Sequence, residues 1–273
     1  MTNTTSNLAR IPALFVPHGA PTFALRPGAA GAALAAAAAG LPKLRAIVVV
    51  SGHWDTAEPT VGFADRPETI HDYRGFPREL NSIRYPATGC REAATEVQQR
   101  LATAGFKVSA DSSRGLDHGA WIPLRTMFPD ADVPVIQLSI QSRRGPRHHL
   151  AIGRALVPLA AHGVLVLGSG NLTHNIGDFQ AAYQAGGVSP AYVREFADWM
   201  GKKLVAGDVP ALLDYRSQAP HAQRAHPTED HLLPLFVAMG AAGENFEATR
   251  FHAGIDDFVL AMDSFIFQPK ESA

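Results

Sequence analysis

Ala46-Ile47-Val48-Val49-Val50-Ser51-Gly52-His53-Trp54 is the stretch whose reading decides the fold. Four consecutive β-branched residues, Ile47 to Val50, are stiff at χ1 and favour extended backbone. The apolar run does not alternate with polar residues, so it reads as a strand covered on both faces, and Ser51-Gly52 ends it. Similar short runs occupy 13–16, 133–140 and 164–168, each bounded by Gly, Pro or polar residues. Between and beyond them, residues 91–104, 148–161, 190–205 and 228–239 carry helical apolar spacing, and the alanine-rich run 29–40 has high helix propensity. Such alternation predicts an α/β fold, a central sheet, mostly parallel or mixed, flanked by helices. Residues 67–88 hold several Pro and Gly with little periodicity and read as a long, functional surface loop.

Bulk properties narrow the partners. The chain has 273 residues, 46% hydrophobic and 18% charged, which fits one globular domain, expected over 11–273 behind a flexible polar tail at 1–10. With 24 basic and 25 acidic side chains the net charge is -1, so neither nucleic acid nor an anionic membrane is expected as a partner. A small substrate fits better, and monomer and homodimer are both open. The one cysteine, Cys90, excludes an internal disulfide and a cysteine-based zinc cluster. No secretory signal is read at the start and no run is long and apolar enough to span a bilayer, which predicts a cytoplasmic protein. Any metal must then be held by His and carboxylates.

The placement of the 12 histidines matters more than their number. His18 follows Ala-Leu-Phe-Val-Pro, and His53 follows Val-Val-Val-Ser-Gly, so both lie just past a strand. His174 lies a few residues past the run that ends at Gly168. Ligands of open α/β sheets bind beyond the carboxyl ends of the strands, so these three side chains are expected to share a cleft. Pro227-Thr228-Glu229-Asp230 resembles a helix start, which puts His231 in a first turn, where the positive helix end favours a neutral, metal-binding imidazole. On such a helix His226 would point roughly 140° away, so His231 is preferred. His118, between Asp117 and Gly119, reads as a loop residue before a helix and a catalytic candidate.

Taken singly, each histidine is most simply a hydrogen-bonded structural residue, and His71, His148, His149, His162, His221 and His252 keep that reading. Gly168-Ser169-Gly170-Asn171 lacks a full phosphate-loop or dinucleotide fingerprint, and no nucleophile elbow surrounds Ser169. Tyr73, Phe76 and Tyr85 are either loop packing or a substrate wall.

Six segments in order carry a resemblance: Phe15-Val16-Pro17-His18-Gly19-Ala20-Pro21, Val50-Ser51-Gly52-His53-Trp54, Gly75-Phe76-Pro77-Arg78-Glu79-Leu80 with Tyr85-Pro86-Ala87, Leu116-Asp117-His118-Gly119, Gly168-Ser169-Gly170-Asn171 with His174-Asn175, and Pro227-Thr228-Glu229-Asp230-His231. Together they resemble the class III extradiol ring-cleavage dioxygenases, in particular the 4,5-DOPA dioxygenase branch. The resemblance implies that His18, His53 and His231 bind a metal, Fe(II) in the working enzyme with Zn(II) possible in purified protein. It further implies that His174 is the acid/base residue or a fourth ligand and that His118 contacts substrate or oxygen. The substrates would be a small aromatic diol and O2, the product a ring-opened semialdehyde acid, with no organic cofactor. A third histidine stands where many class III enzymes have a carboxylate ligand. Two other functions fit three histidines in a cleft: a zinc-dependent hydrolase and a non-catalytic binding protein like the Memo family.

Overall fold

The computed structural model describes residues 10–270, so the tail expected at 1–10 falls, Arg10 apart, outside the described residues. Among the described residues ten strands form: β1 (Ala13–Pro17), β2 (Ala46–Asp55), β3 (Thr60–Gly62), β4 (Ser109–Asp111), β5 (Val135–Ile140), β6 (Val164–Gly170), β7 (Phe246–His252), β8 (Ile255–Asp256), β9 (Leu260–Ala261) and β10 (Ser264–Pro269). Eight of them make one sheet in the order β4-β3-β5-β2-β6-β1-β10-β7, and β8 and β9 pair separately. The centre, β5-β2-β6-β1, is parallel, whereas β10 and β7 are added antiparallel at one end and β3 pairs antiparallel with β5 at the other. The sheet is therefore mixed.

Side chains alternate across a strand, so each central strand feeds two cores. Val48 and Val50 of β2, Phe15 of β1 and Val166 of β6 enter one core, while Ile47, Val49, Leu14 and Leu167 enter the other. That two-sided burial explains why the central runs are continuous rather than alternating in hydrophobicity. On the second face lie α1 (Gly28–Ala39) and α3 (His118–Met127), which pack on each other, with Leu34 and Trp121 fully buried. On the first face lie α2 (Arg91–Thr103), α4 (Gly145–Leu156) and, after the lone α5 (Ile176–Gln184), the long α6 (Ala191–Ala206). Three short helices, α7 (Val209–Leu213), α8 (Tyr215–Gln218) and α9 (Ala222–Ala225), lead to α10 (Leu233–Ala241), which is buried along its whole length.

Two local expectations are corrected. His53 is not past the strand, because β2 runs on to Asp55. The helix expected at 228–239 begins at Leu233, so His231 sits in the turn ahead of it rather than in a first helical turn. Pro234 stands at the second position of that helix, where its missing N–H costs no helical hydrogen bond. Residues 67–88 are, as expected, largely irregular, with one 3-10 turn at Arg78–Ser82. Among the described residues no helix is long and apolar enough to cross a membrane.

Candidate metal centre

His18, His53 and His231 come together at the carboxyl ends of β1, β2 and β6. His53 Nε2 lies 3.2 Å from His18 Nε2 and 3.1 Å from His231 Nε2. His18 and His231 are buried and His53 half-buried. The turn carrying His231 rests directly on the end of β6, where a Cβ at Gly170 would stand 1.9 Å from the His231 carbonyl oxygen. Glycine is required at that contact. The same carbonyl accepts the Asn171 N–H at 3.1 Å, which fixes the turn to the strand end.

The outer nitrogens decide what the inner ones can do. The Ser169 hydroxyl donates to the Gly119 carbonyl, so it can only accept from His18 Nδ1 at 3.0 Å. The Asp230 carboxylate accepts from His231 Nδ1 at 2.6 Å. His53 Nδ1 faces Asp72 Oδ2 at 3.7 Å, which favours the proton there. Each imidazole thus turns a bare Nε2 lone pair inward, and lone pairs about 3 Å apart, as His53 is from each of the other two, cannot hydrogen-bond one another. A cation satisfies all three, so the donor set fits a divalent metal held by neutral imidazoles. Burial, first, and repulsion from the neighbouring imidazoles hold His18 and His231 well below the ordinary histidine range, and His53 falls to about 4.

Two further histidines border this cluster. His174 stacks flat on His231, with ring centroids 3.4 Å apart and planes within 5°. It belongs to a second potential ligand group with Asp230 and His231, not to the group of three. Burial is the main cause that lowers its pKa to about 4, and the Asp230 charge opposes the shift. His118 is the first residue of α3, not a loop residue, and its ring lies 3.9 Å from that of His53. Asp72 Oδ1 accepts from both His118 Nδ1, at 2.9 Å, and the His118 backbone N–H, at 3.0 Å. Burial alone would raise the Asp72 pKa, but the hydrogen bonds from His118 outweigh it and bring the group to about 2. Gly119 lets this end of α3 close on the site, since a Cβ there would stand 2.3 Å from Ser51 Oγ.

All five histidines singled out in the sequence therefore meet in one place. His226 does not join them: it is fully buried and its Nε2 donates to the Leu172 carbonyl at 2.8 Å. Its exclusion follows from that bond rather than from a helical angle, since residues 226–232 are not helical. Asp72, Asp117 and Asp230 were not assigned roles from sequence. Asp117 caps α3 and accepts from Ser51 Oγ at 2.7 Å and Arg114 at 2.8 Å, bracing the strand that carries His53. The available signal was the position of each acid, one in the long loop and two beside a candidate histidine. Tyr73 stands edge-on to His118 at 5.6 Å and so faces the site, and Phe76 packs edge-on behind Tyr73 at 5.8 Å. Tyr85 is packing, buried with its hydroxyl on the Phe128 carbonyl.

Residues 30–255 match the family model described as the catalytic LigB subunit of aromatic ring-opening dioxygenase. The chain belongs to the LigB family. Relatives of this LigB chain include a 4,5-DOPA dioxygenase extradiol of Beta vulgaris, 43% identical over 82% of this chain and 83% of that one. Another of that name, from Escherichia coli, is 34% identical over 85% of each. Among solved structures, an uncharacterized protein of Escherichia coli K12 superposes with a TM-score of 0.76 at 28% identity, covering 94% of this chain and 99% of its own. This LigB-family protein is thus a class III extradiol dioxygenase with a histidine-rich, metal-binding type of site. The hydrolase and the Memo-like binding protein gain no support from these matches.

Proposed function

We propose that the Nε2 atoms of His18, His53 and His231 hold Fe(II), and that the protein cleaves a catechol-type ring beside its two hydroxyls. The observation that carries this reading is the trio of inward lone pairs, with His53 Nε2 about 3 Å from each of the other two and every outer nitrogen engaged by or facing an acceptor. Iron bound there supplies a Lewis-acidic, redox-active centre with positions left open for a catecholate and dioxygen. Zinc fits the same nitrogens but cannot pass electrons to oxygen. A reducing cytoplasm suits a ferrous ion.

The side chains do the rest. His174, neutral at pH 7, takes a hydroxyl proton from the entering catechol, and Asp230 offsets the charge it acquires. Its place outside the group of three favours acid/base work over a fourth ligand. His118, held through Nδ1 by Asp72, presents its other nitrogen to substrate or oxygen. Tyr73 and Phe76 exclude water from that side. One carbon–carbon bond beside the diol breaks, and both atoms of dioxygen end in the semialdehyde acid.

Oxygen uptake by iron-reconstituted protein with a panel of catechols, read alongside a yellow product, tests the reaction. Metal analysis of His18→Ala and His53→Ala tests the ligands: both are expected to lose metal and turnover, whereas His174→Ala keeps metal and loses rate. Metal content in His18→Ala equal to the parent's overturns the assignment.

A further inference from the structure

A cleft of about 250 Å³ lies outside the histidine cluster, walled by Ala20, Phe76, Ile176, Phe179, Asp257 and Leu260 among others. Three of these residues tie it to the centre. Ala20 is two residues past His18, Ile176 is two past His174, and Phe76 packs on Tyr73, which packs on His118. The cleft therefore opens beside the candidate metal centre. Its wall is apolar, and Ile176, Phe179 and Phe76 stay 59%, 37% and 37% exposed around it. Large apolar side chains left bare around a concavity mark a place for a ligand.

The far wall is preformed. The β8–β9 hairpin turns through the three residues Asp257, Phe258 and Val259, the first two at positive φ, 47° and 64°, and the Val259 N–H closes the loop on the Asp257 carbonyl at 2.8 Å. Phe258 stacks on Phe179 with centroids 6.0 Å apart, so the hairpin tip is fastened to α5. Asp257 is the one charged side chain in the lining.

Resting on the ring-cleavage reading, we propose that this cleft receives the side arm of the aromatic diol, an apolar chain whose far end is cationic or neutral, with Asp257 excluding an anionic end. Apolar burial favours each added methylene roughly fourfold. The iron-loaded parent is therefore expected to prefer 4-propylcatechol to catechol at least about tenfold in kcat/KM. In the double variant Ile176→Ala/Phe179→Ala that ratio falls to about threefold or less. Asp257→Asn keeps a residue that tolerates positive φ. It is expected to shrink, about tenfold, the parent's preference for 4-(2-aminoethyl)catechol over 3-(3,4-dihydroxyphenyl)propionate.

A second readout needs neither metal nor turnover. In metal-free protein with isoleucine methyls labelled, 2-phenylethylamine should shift the Ile176 resonance and leave the core isoleucines Ile47 and Ile136 in place. An Ile176 signal that does not move, or arm ratios that are the same in parent and variants, overturns the cleft assignment. A parent that cleaves no catechol overturns the ring-cleavage reading instead, and the methyl signal still decides the cleft.

Discussion

At the scale of single residues, the carboxylates behind the histidines matter as much as the nitrogens in front. Asp230 fixes which nitrogen of His231 carries the proton and holds the ring in place. Outer partners of this kind are worth 10- to 100-fold in metal affinity as a rough range. Asp230→Asn keeps the shape and loses the charge, so affinity should drop by about that range, measured by competition with a chelator of known strength. Any loss of turnover that persists at saturating metal would report the second role of Asp230, beside His174. The five histidines were legible in the sequence because strand ends, glycines and a proline mark where the chain turns into the cleft. Asp72 was not, because its partner, His118, is brought to it only by the fold: nothing in the spacing of positions 72 and 118 links them.

At the scale of elements, the turn between α9 and α10 is what completes the site. It is pressed against β6 so closely that one methyl group at Gly170 would collide with the His231 carbonyl. Gly170→Ala is thus expected to destabilise the fold by about 1–3 kcal/mol, seen in denaturant melts, and to weaken metal binding further than the lost stability alone explains. The central strands and α1, α2 and α6 were legible to within a residue or two at most ends, because β-branched runs and helix formers act locally. The start of α10 was misplaced because the capping-like sequence at 227–230 precedes a turn, and the helix itself opens at Leu233, one residue before Pro234. β7 and β10 went unread: their side chains alternate or mix in burial, and what makes them strands is the edge that β1 offers β10 and that β10 in turn offers β7.

For the molecule as a whole, buried histidines outside the centre set a pH floor. His149 is buried, with Nδ1 donating to the Gly145 carbonyl and Nε2 accepting from the Gln141 N–H, so α4 is joined to the end of β5 by a neutral ring. Burial, first, holds its pKa at about 4, below the unfolded value of 6.5. The folded state binds fewer protons there, so this contribution is complete above pH 6.5 and is lost as pH falls towards 4, about 3 kcal/mol in all. His149→Phe is expected to flatten the decline of the urea midpoint between pH 6.5 and 4.5 relative to the parent. An unchanged slope would show that His149 is not the group that titrates.

β10 closes the sheet around β1. It lies between β1 and β7, so the strand that ends beside His18 gains its second neighbour only from residues 264–269. On the ribosome, residues 264–269 must emerge before β1 is hemmed in on both sides. Uptake of a cation should accordingly be a late event in biogenesis, open to nascent chains only once this closing strand has slotted home.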